Sequence, residues 1–342
     1  MVAAMSTPET GTPVRALVVG AGAVGQVFAR HLQLGGAEVA FLVKEKYAAE
    51  CRRGFTLYAL NGRRKTTPLR LDGVGVVTSP AEAAARPWDQ VYVTVSSTAI
   101  RAGSWLPELI AATGDATLIS LQPGLHDRAV FLAHAAEERL VSGMISLISY
   151  QAPLPGETRF PEPGMAYWFP PMAPCPFSGA AARVRAVVDA LRRGQLPAKR
   201  HPDVPRAVAF PGALMMPQLV ALEAAGWSFE ALRRGHWLAL AARGGAEAMD
   251  AVARELDTRP PLMLRLAARP LAMRIVLRAA GWVVPLPLET YLRVHFTKVA
   301  DQTRLAMETY RDEAHKAALP SAALDELLSR QPQLSALSGG PP

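Results

Sequence analysis

The sequence predicts an α/β protein in which a parallel sheet with flanking helices is followed by an all-helical region. In the first half of the chain, short apolar runs alternate with amphipathic segments of helical period, which is the pattern of strands joined by crossover helices. After Pro205, nearly every segment has helical character. A sheet-containing domain and a separate helical domain are therefore expected.

The first strand, helix and second strand lie within about 30 residues, the size of a βαβ unit. Arg15–Val19 and residues 39–43 are apolar runs typical of buried parallel strands. Between them, a GxGxxG turn opens an amphipathic helix that ends at Gly35-Gly36. In such a turn the first glycine allows a tight bend, the second admits a pyrophosphate, and the third lets helix and strand pack closely. This Rossmann-type pattern predicts cofactor contacts from Gly20, Ala21, Gly22, Ala23, Val24 and Gly25.

The residue that follows the second strand bears on which dinucleotide is preferred. Sites that prefer NAD usually have Asp or Glu there, which accepts hydrogen bonds from the ribose 2′-hydroxyl. This chain has Lys44, followed by Glu45 and Lys46. Two ammonium groups beside a 2′-phosphate favour NADP, so Lys44 is predicted to contact that phosphate. A solvated charged loop is the alternative interpretation, and Glu45 keeps it open.

Further segments extend the predicted sheet. We expect helices over 47–53, 79–85, 105–112, 128–138 and 180–193, and strands over 54–60, 66–71, 90–95, 116–121 and 141–148. Asn61-Gly62 predicts a hairpin turn between two of these strands. A dinucleotide crosses the carboxyl ends of parallel strands, so further cofactor contacts are predicted from Thr94, Val95, Ser96, Gln122 and Gly124.

These assignments divide the chain into four parts. Residues 14–195 are predicted to form the NADP-binding domain and residues 196–330 the helical domain. Residues 1–13 and 331–342 are predicted to be disordered tails.

Composition limits the function classes. The 342 residues contain 37 Lys and Arg against 29 Asp and Glu, a net charge of +8. The arginines are scattered through Ala-rich helices without a basic run, which favours an anionic small-molecule substrate over nucleic acid. Two cysteines predict neither a disulfide framework nor a metal cluster. The beginning of the chain lacks a secretory pattern, and arginines and prolines interrupt the apolar stretch 262–288. We therefore expect a cytoplasmic protein without stable membrane insertion; a homodimer is left open.

The order of these motifs resembles the ketopantoate reductase family. The resemblance rests on the GAGAVG turn, the basic residue closing the second strand, a strand-terminal Val-Thr-Val, a strand ending in Leu-Gln-Pro-Gly, and the helical second half. It covers residues 14–195 and is architectural beyond them. It implies an NADP-dependent 2-oxoacid reductase with an N-terminal Rossmann domain and a C-terminal helical domain.

Several positions depart from the pattern of that family. Ser96 replaces the lysine that usually follows Val-Thr-Val, and Pro123-Gly124 replaces an Asn-Gly pair, removing an amide donor. The catalytic lysine and asparagine that open the helical domain of the family should fall within 206–214, which contains neither. Asp301 is the nearest match to the late carboxylate of the family. These departures make ketopantoate itself an unexpected substrate.

The richest polar cluster lies in residues 289–304, which we predict to be one helix. An apolar stripe of 4-3-4-3 spacing is flanked by a polar line of the same spacing, Tyr291, His295, Lys298 and Gln302. We predict Lys298 as the general acid toward a developing alkoxide, His295 as its proton-sharing partner, and Tyr291 and Gln302 as substrate-binding residues. An ordinary solvated helix face is the alternative.

Two functions follow from the sequence. The first is an NADPH-dependent reductase of a carbonyl or imine substrate. The second is a non-redox enzyme, such as a cyclase or isomerase, or a nucleotide-responsive binding protein on a degenerate reductase fold. The replaced family residues favour the second function, whereas the intact GAGAVG turn and Lys44 favour the first.

Overall fold

The computed structural model describes residues 12–62 and 65–331, without the side chains of residues 280–283. The two predicted tails therefore lie outside the described residues, apart from positions 12, 13 and 331. The strands are β1 (Arg15–Val19), β2 (Glu38–Leu42), β3 (Phe55–Ala59), β4 (Leu69–Leu71), β5 (Gly75–Val77), β6 (Gln90–Val93), β7 (Thr117–Ser120), β8 (Leu140–Gly143), β9 (Ile148–Ala152), β10 (Gly164–Trp168), β11 (Cys175–Ser178) and β12 (Ala198–Arg200).

The helices follow the same chain order. They are α1 (Ala23–Leu34), α2 (Glu45–Arg53), α3 (Pro80–Ala83), α4 (Trp105–Ala112), α5 (Asp127–Leu132), α6 (Ala181–Arg193), α7 (Val204–Ala224), α8 (Phe229–Arg234), α9 (Trp237–Glu255), α10 (Leu262–Ala267), α11 (Pro270–Val283), α12 (Leu288–Lys298), α13 (Ala300–Lys316) and α14 (Ala322–Arg330). The α/β fold with a helical second part is thereby confirmed.

The N-terminal part is built on an eight-stranded sheet with the order β12-β11-β8-β7-β6-β1-β2-β5. Its pairs are parallel except β11 with β8. Along β1, Ala16 and Val18 pack toward α1 and α6, whereas Leu17 and Val19 pack toward α4. Burial on both faces explains why these strands are continuous apolar runs rather than alternating ones. Because β1, β2, β6 and β7 are parallel, their carboxyl ends lie side by side at one edge of the sheet.

A second sheet has the order β4-β3-β10-β9. Met165 and Tyr167 of β10 join the core of the large sheet on its α1 side. The opposite face of the small sheet is aromatic, and Tyr150 and Trp168 pack there with Leu286 and Tyr291 from the helical part. This small sheet therefore connects the N-terminal part to the start of α12.

The helical part is organised around α7 and α9. Gly244 and Gly245 of α9 allow close approach to α7, since a Cβ atom on Gly245 would lie 3.3 Å from Leu214 Cδ1. Met216, Met249 and Leu327 lie in the core between α7, α9 and α14. Among the described residues, α7 alone has the length and apolarity that crossing a membrane requires. Buried core helices meet the same criterion, and α7 contributes many side chains to this core.

The predicted antiparallel pairing of β3 with β4 is confirmed, but the predicted tight turn between them and one predicted strand differ from the structure. Leu57 pairs with Leu69 in the β3–β4 ladder, so the connection is too long for a two-residue turn at Asn61-Gly62. The Asn61 side chain instead pairs with the backbone of Phe169, donating to its carbonyl and accepting from its N–H, both at 2.8 Å. The single strand predicted over 141–148 is two strands, β8 and β9, which belong to different sheets.

Several element bounds also differ from the prediction. The helix predicted over 128–138 ends at Leu132. The sheet continues through β12, beyond the predicted domain boundary at 195, and the helical part begins at Val204. The predicted helix 289–304 is interrupted at Val299, whose φ of −114° and ψ of 28° end α12 before α13 begins. These strands and breaks are short, so the local hydrophobic period does not specify them.

His31 is a buried histidine where α1 meets α6. Its Nδ1–H donates to the carbonyl of Gly194 at 2.6 Å, and its ring lies edge-on to Tyr167 and Phe169. Burial lowers the pKa of His31, although the Gly194 carbonyl opposes this change. The folded protein therefore holds the neutral imidazole.

This burial predicts a pH dependence of stability. Because the pKa of His31 is lower in the folded than in the unfolded state, its stabilising effect is full above the unfolded pKa of about 6.5 and is lost progressively below it. His31→Gln keeps an amide donor for Gly194 without a titrating group. We expect this variant to lose less free energy of unfolding than the unaltered protein between neutral and mildly acidic pH, measured by urea denaturation. Identical pH profiles would contradict the assignment.

Candidate functional site

The glycine turn lies between β1 and α1. Gly20 has a φ of +94°, the left-handed region that glycine adopts without strain. A Cβ atom on Gly25 would lie 2.0 Å from the Gly20 carbonyl oxygen, so this position must remain glycine for helix and strand to pack. A Cβ atom on Gly22, in contrast, would meet nothing within 4 Å. The middle glycine therefore faces open space at the N-terminus of α1.

This N-terminus has free donors. The first intrahelical bond runs from Gln26 N–H to the Gly22 carbonyl, so the N–H groups of Ala23 and Val24 precede the helical ladder. Gly22 is the N-cap residue and supplies no side chain. Open space, free N–H groups and the positive end of a helix dipole are what a pyrophosphate needs. The turn residues present thus fit a dinucleotide.

Neighbouring side chains hold the turn in shape. The Thr94 hydroxyl donates to the carbonyls of Val19 and Gly20, at 2.8 and 3.1 Å. The Gln26 side-chain amide donates to the Ala21 carbonyl at 2.8 Å. Val95 packs against Gly20, where an added Cβ atom would lie 2.9 Å from Val95 Cγ1. Thr94 and Val95, which are predicted cofactor contacts, thus stabilise the conformation of the glycine turn.

Lys44 lies where the sequence places it, at the carboxyl end of β2 and just before α2. Its side chain is exposed. Within residues 12–62 and 65–331, the Lys44 ammonium group forms no salt bridge with a carboxylate. The position leaves Lys44 available to an anionic group at the edge of the sheet.

Gln122 joins the ends of two central strands. Its side-chain N–H group donates to the carbonyls of Val93 and Val95, at 2.9 and 2.7 Å. Its Oε1 atom accepts from the Ser120 hydroxyl and the Leu121 N–H. These four bonds explain why an amide side chain stands at the end of β7, and they leave Gln122 a supporting role at the predicted cofactor edge.

Asp127 is the central polar residue of this edge, and the sequence analysis did not identify it. The carboxylate is 1% exposed and accepts from the Ser97 hydroxyl at 2.6 Å and the Gly124 N–H at 2.7 Å. Arg101 pairs with its other oxygen at 2.5 Å and also donates to the Ser97 carbonyl. Asp127 therefore fixes the two loops that follow β6 and β7. The sequence signal was an aspartate three residues after a strand-terminal Gly124.

The helical part reaches the same loops through the start of α13. The Ser97 N–H donates to Gln302 Oε1 at 3.1 Å, and the Thr98 hydroxyl donates to Asp301 Oδ2 at 2.6 Å. Thr98 also lies 2.9 Å from the Ser96 hydroxyl. The predicted residue Gln302 thus contacts the loop that contains Ser96, and so does Asp301, the nearest match to the carboxylate of the family. These hydrogen bonds join the start of α13 to the loop that follows β6.

The remaining members of the predicted polar line lie together on α12, whereas Gln302 belongs to α13. The Tyr291 side chain is buried against Tyr150, with ring centroids 5.9 Å apart, and burial raises its pKa to about 12. His295 stacks on Tyr291 at 5.4 Å. Burial lowers the pKa of His295, and the charge of Lys298 lowers it further. Lys298 is exposed at the end of α12. Tyr291 therefore lies in a core, whereas Lys298 precedes Asp301, which contacts Thr98, by three positions in the chain.

A second contact joins the two domains at His126. Its Nε2 atom lies 3.1 Å from Glu313, and its Nδ1 atom lies 3.9 Å from Glu255. Although burial opposes ionisation of Glu313, hydrogen bonds from Lys316 and His126 hold its pKa below the ordinary value. These three potential metal ligands converge, yet the Lys316 ammonium is 2.6 Å from the Glu313 oxygen that also accepts from His126. We interpret the group as an ion-pair bridge between the domains.

Comparison with known proteins finds a family model that is similar to part of this chain. Residues 16–173 match the ApbA family model, described as ketopantoate reductase PanE/ApbA. Residues 16–173 are thus similar to a ketopantoate reductase domain. The resemblance predicted from the sequence is thereby confirmed. At family level the match supports an NAD(P)-dependent reductase of the 2-oxoacid type. No curated protein sequence matches the chain.

Solved structures extend the likeness of fold to the helical part. A 2-dehydropantoate 2-reductase from Geobacter metallireducens GS-15 is 17% identical with a TM-score of 0.67, covering 93% of this chain and 98% of its own. D-mandelate dehydrogenase in a ternary structure with NADH and anilino(oxo)acetate is 11% identical with a TM-score of 0.68, covering 92% and 96%. The probable 2-dehydropantoate 2-reductase panE from Bacillus subtilis is 16% identical with a TM-score of 0.63, covering 92% and 98%. At these identities the comparison concerns the fold.

Proposed function

We propose that this protein is an NADPH-dependent reductase of a carbonyl or imine substrate of the 2-oxoacid type. The observation that carries the proposal is the open N-terminus of α1, where Gly22 leaves room for a pyrophosphate. The ketopantoate reductase domain supports a nicotinamide cofactor. The D-mandelate dehydrogenase of similar fold, solved with NADH and an oxoacetate ligand, supports a 2-oxoacid with an apolar substituent.

The chain's own residues supply binding, orientation and a proton. When bound, a dihydronicotinamide supplies hydride to the electrophilic carbon of the substrate. The loops held by Asp127 shape the edge where this ring would lie, between Ser96 and Gly124. Negative charge then develops on the substrate oxygen, and we assign its protonation to the Lys298 ammonium. Neutral His295, one helical turn earlier, is assigned as the partner of Lys298.

A turnover screen tests this proposal. The purified protein is incubated with NADPH and a panel of 2-oxo acids and cyclic imines with aliphatic or aromatic substituents, and NADPH oxidation is followed by absorbance. We expect turnover of a substrate with a bulky apolar substituent and little turnover of ketopantoate. Binding of NADPH without oxidation across the whole panel would favour the non-redox alternative.

The cofactor preference is tested at Lys44. Lys44→Ala is expected to weaken NADPH binding about tenfold or more, since a hydrogen bond to a charged group contributes about 1.5–3 kcal/mol. NADH binding should change little, because NADH has no 2′-phosphate. Calorimetric titration measures both affinities.

Lys199→Ala is the matched control for this experiment. Lys199 is also exposed, but it lies on β12, which is the outermost strand of the large sheet on the side away from β2. If Lys44→Ala weakens NADPH and NADH binding equally, or if both lysine variants behave alike, a contact between Lys44 and the 2′-phosphate is ruled out.

The proton donor is tested at Lys298. Lys298→Ala is expected to lower kcat about 100-fold or more, the range of general acid catalysis. Lys298→Arg keeps the positive charge but cannot release a proton near neutral pH, so kcat should stay low while KM recovers.

Arg293→Ala controls for the loss of a cation from the exposed surface of α12. An unchanged kcat in Lys298→Ala would exclude Lys298 as the donor. A drop restored by Lys298→Arg would instead assign this side chain to binding of the substrate carboxylate.

A further inference from the structure

Helices α10 and α11 expose an unusual share of large apolar side chains. Among the described residues, eleven large apolar side chains are exposed, and six of them lie in positions 262–276. Their exposed fractions range from 38% to 74%. The six residues are Leu262, Met263, Leu266, Leu271, Ile275 and Val276. Together with Arg265, Arg269, Arg274 and Arg278, we call them the α10–α11 surface.

This exposed face is additional to the face that holds the helices in place. Leu264, Ala268, Met273 and Leu277 pack inward against the core of the helical part. Leu262 and Leu266, like Leu271 and Ile275, are four residues apart and so share the outer face of their helix. Each helix therefore has two apolar faces: one packs against the core of the helical part, and the other is exposed at the surface.

The charge of the same segment has one sign. Residues 258–288 contain five arginines and no aspartate or glutamate. Arg265 pairs with Asp250 of α9 at 2.6 Å. Within the described part of the chain, Arg269, Arg274 and Arg278 take part in no salt bridge. An apolar face bordered by unpaired arginines is complementary to an anionic, lipophilic surface.

A basic cleft adjoins this surface. It has a volume of about 500 Å³ and lies between α9, α10 and α14, with His236, Arg243, Arg265 and Arg269 among its lining residues. Among the described residues, Glu326 alone contributes a carboxylate to its lining, 3.9 Å from Arg243. A cleft of this charge beside an apolar surface suits the phosphate of a lipid headgroup.

A second copy of the chain fits this surface less well. A twofold contact brings the same patch of both copies together. Here it would place arginines of the two copies against each other, without an acidic residue from 258–288 to neutralise them. Burying like charges without partners is costly. The charge distribution therefore favours lipid over self-association.

We propose that the α10–α11 surface binds reversibly to membranes containing anionic lipids. The apolar side chains enter the headgroup and acyl boundary, while the arginines remain at the phosphates with their aliphatic stems against the helices. This interfacial binding requires no spanning segment. It is independent of the proposed reductase chemistry.

Vesicle flotation with the full chain tests this proposal. One set of vesicles contains phosphatidylcholine alone, and the other contains about one-third phosphatidylserine, whose negative surface potential attracts basic segments. We expect binding to the second set only, weakened by added salt. Arg274→Gln with Arg278→Gln should reduce the partition coefficient about fivefold per arginine. Leu271→Gln with Ile275→Gln should abolish binding, with an unchanged melting temperature because both side chains are exposed.

The matched control is Arg185→Gln with Arg200→Gln, which removes the same charge from exposed positions on α6 and β12. We expect this variant to bind as the unaltered protein does. No binding to anionic vesicles, or equal losses in the control and the Arg274 and Arg278 variant, would overturn the proposal. Light scattering is the second measurement. A dimer that becomes a monomer in the Leu271 and Ile275 variant would assign the surface to a second copy and also overturn it.

Discussion

Gly22→Asp is expected to abolish binding of both NADPH and NADH while the protein remains fully folded. The Gly22 φ of −73° and ψ of −171° suit any residue, and a Cβ atom there meets nothing within 4 Å. Aspartate is moreover a preferred N-cap residue, so the melting temperature should be unchanged or raised. A carboxylate at this point occupies the pyrophosphate position and repels it. We expect a loss of affinity of at least about 100-fold, or some 3 kcal/mol.

Two further variants distinguish an effect on ligand affinity from an effect on the stability of the fold. Gly22→Ser supplies a cap without charge and should reduce affinity less than aspartate does. Gly25→Ala should lower the melting temperature itself, because its Cβ atom would lie 2.0 Å from the Gly20 carbonyl oxygen. Fluorescence titration and thermal unfolding give the two quantities for each variant. Gly22→Asp with undiminished affinity would mean that the dinucleotide does not bind at this turn.

Asp127→Ala is expected to lower the free energy of unfolding by about 3–5 kcal/mol, the usual effect of removing one partner of a buried ion pair. The carboxylate accepts from Ser97, Gly124 and Arg101, and all three donors lose their partner together. Because these donors lie in the loops after β6 and β7, cofactor affinity should fall as well. Urea denaturation measures the stability, and titration with NADPH measures the affinity.

Asp115→Ala is the matched control for this variant. Asp115 also pairs with an arginine, Arg183, but its side chain is 89% exposed, so its loss should cost less than about 1 kcal/mol. Asp127→Asn should fall between the two, since an amide oxygen can still accept from Ser97 and Gly124. Equal destabilisation by Asp115→Ala and Asp127→Ala would show that burial of the Asp127 network contributes nothing.

Structural features that depend on neighbouring residues in the chain were predicted most accurately. The bounds of β1 and α4 agree with the prediction, and the glycine turn lies between the predicted strand and helix. The hydrophobic period and the glycines specify these elements within a few residues. Lys44 likewise stands at the predicted strand end because its position depends only on where β2 stops.

The features that escaped prediction depend on distant contacts. Gln302 meets Ser97 across 205 positions of the chain, and Asp301 meets Thr98 across 203. The Asp127 network joins loops that follow different strands. The break at Val299 is equally invisible in the local pattern, because an apolar residue continues the helical stripe there. Tyr291 was therefore placed with Gln302 on one helix face, although the small sheet buries it in an aromatic core.

Calorimetric titration of the purified protein with NADPH and NADH tests whether the glycine turn binds a dinucleotide. We expect one NADPH site per chain, with NADH bound at least about tenfold more weakly because it lacks the 2′-phosphate that Lys44 would contact. Titration of Gly22→Asp in parallel should give no heat of binding. A folded, unaltered protein that binds neither dinucleotide would contradict the proposed NADPH-dependent function, since the open turn before α1 would then bind no cofactor.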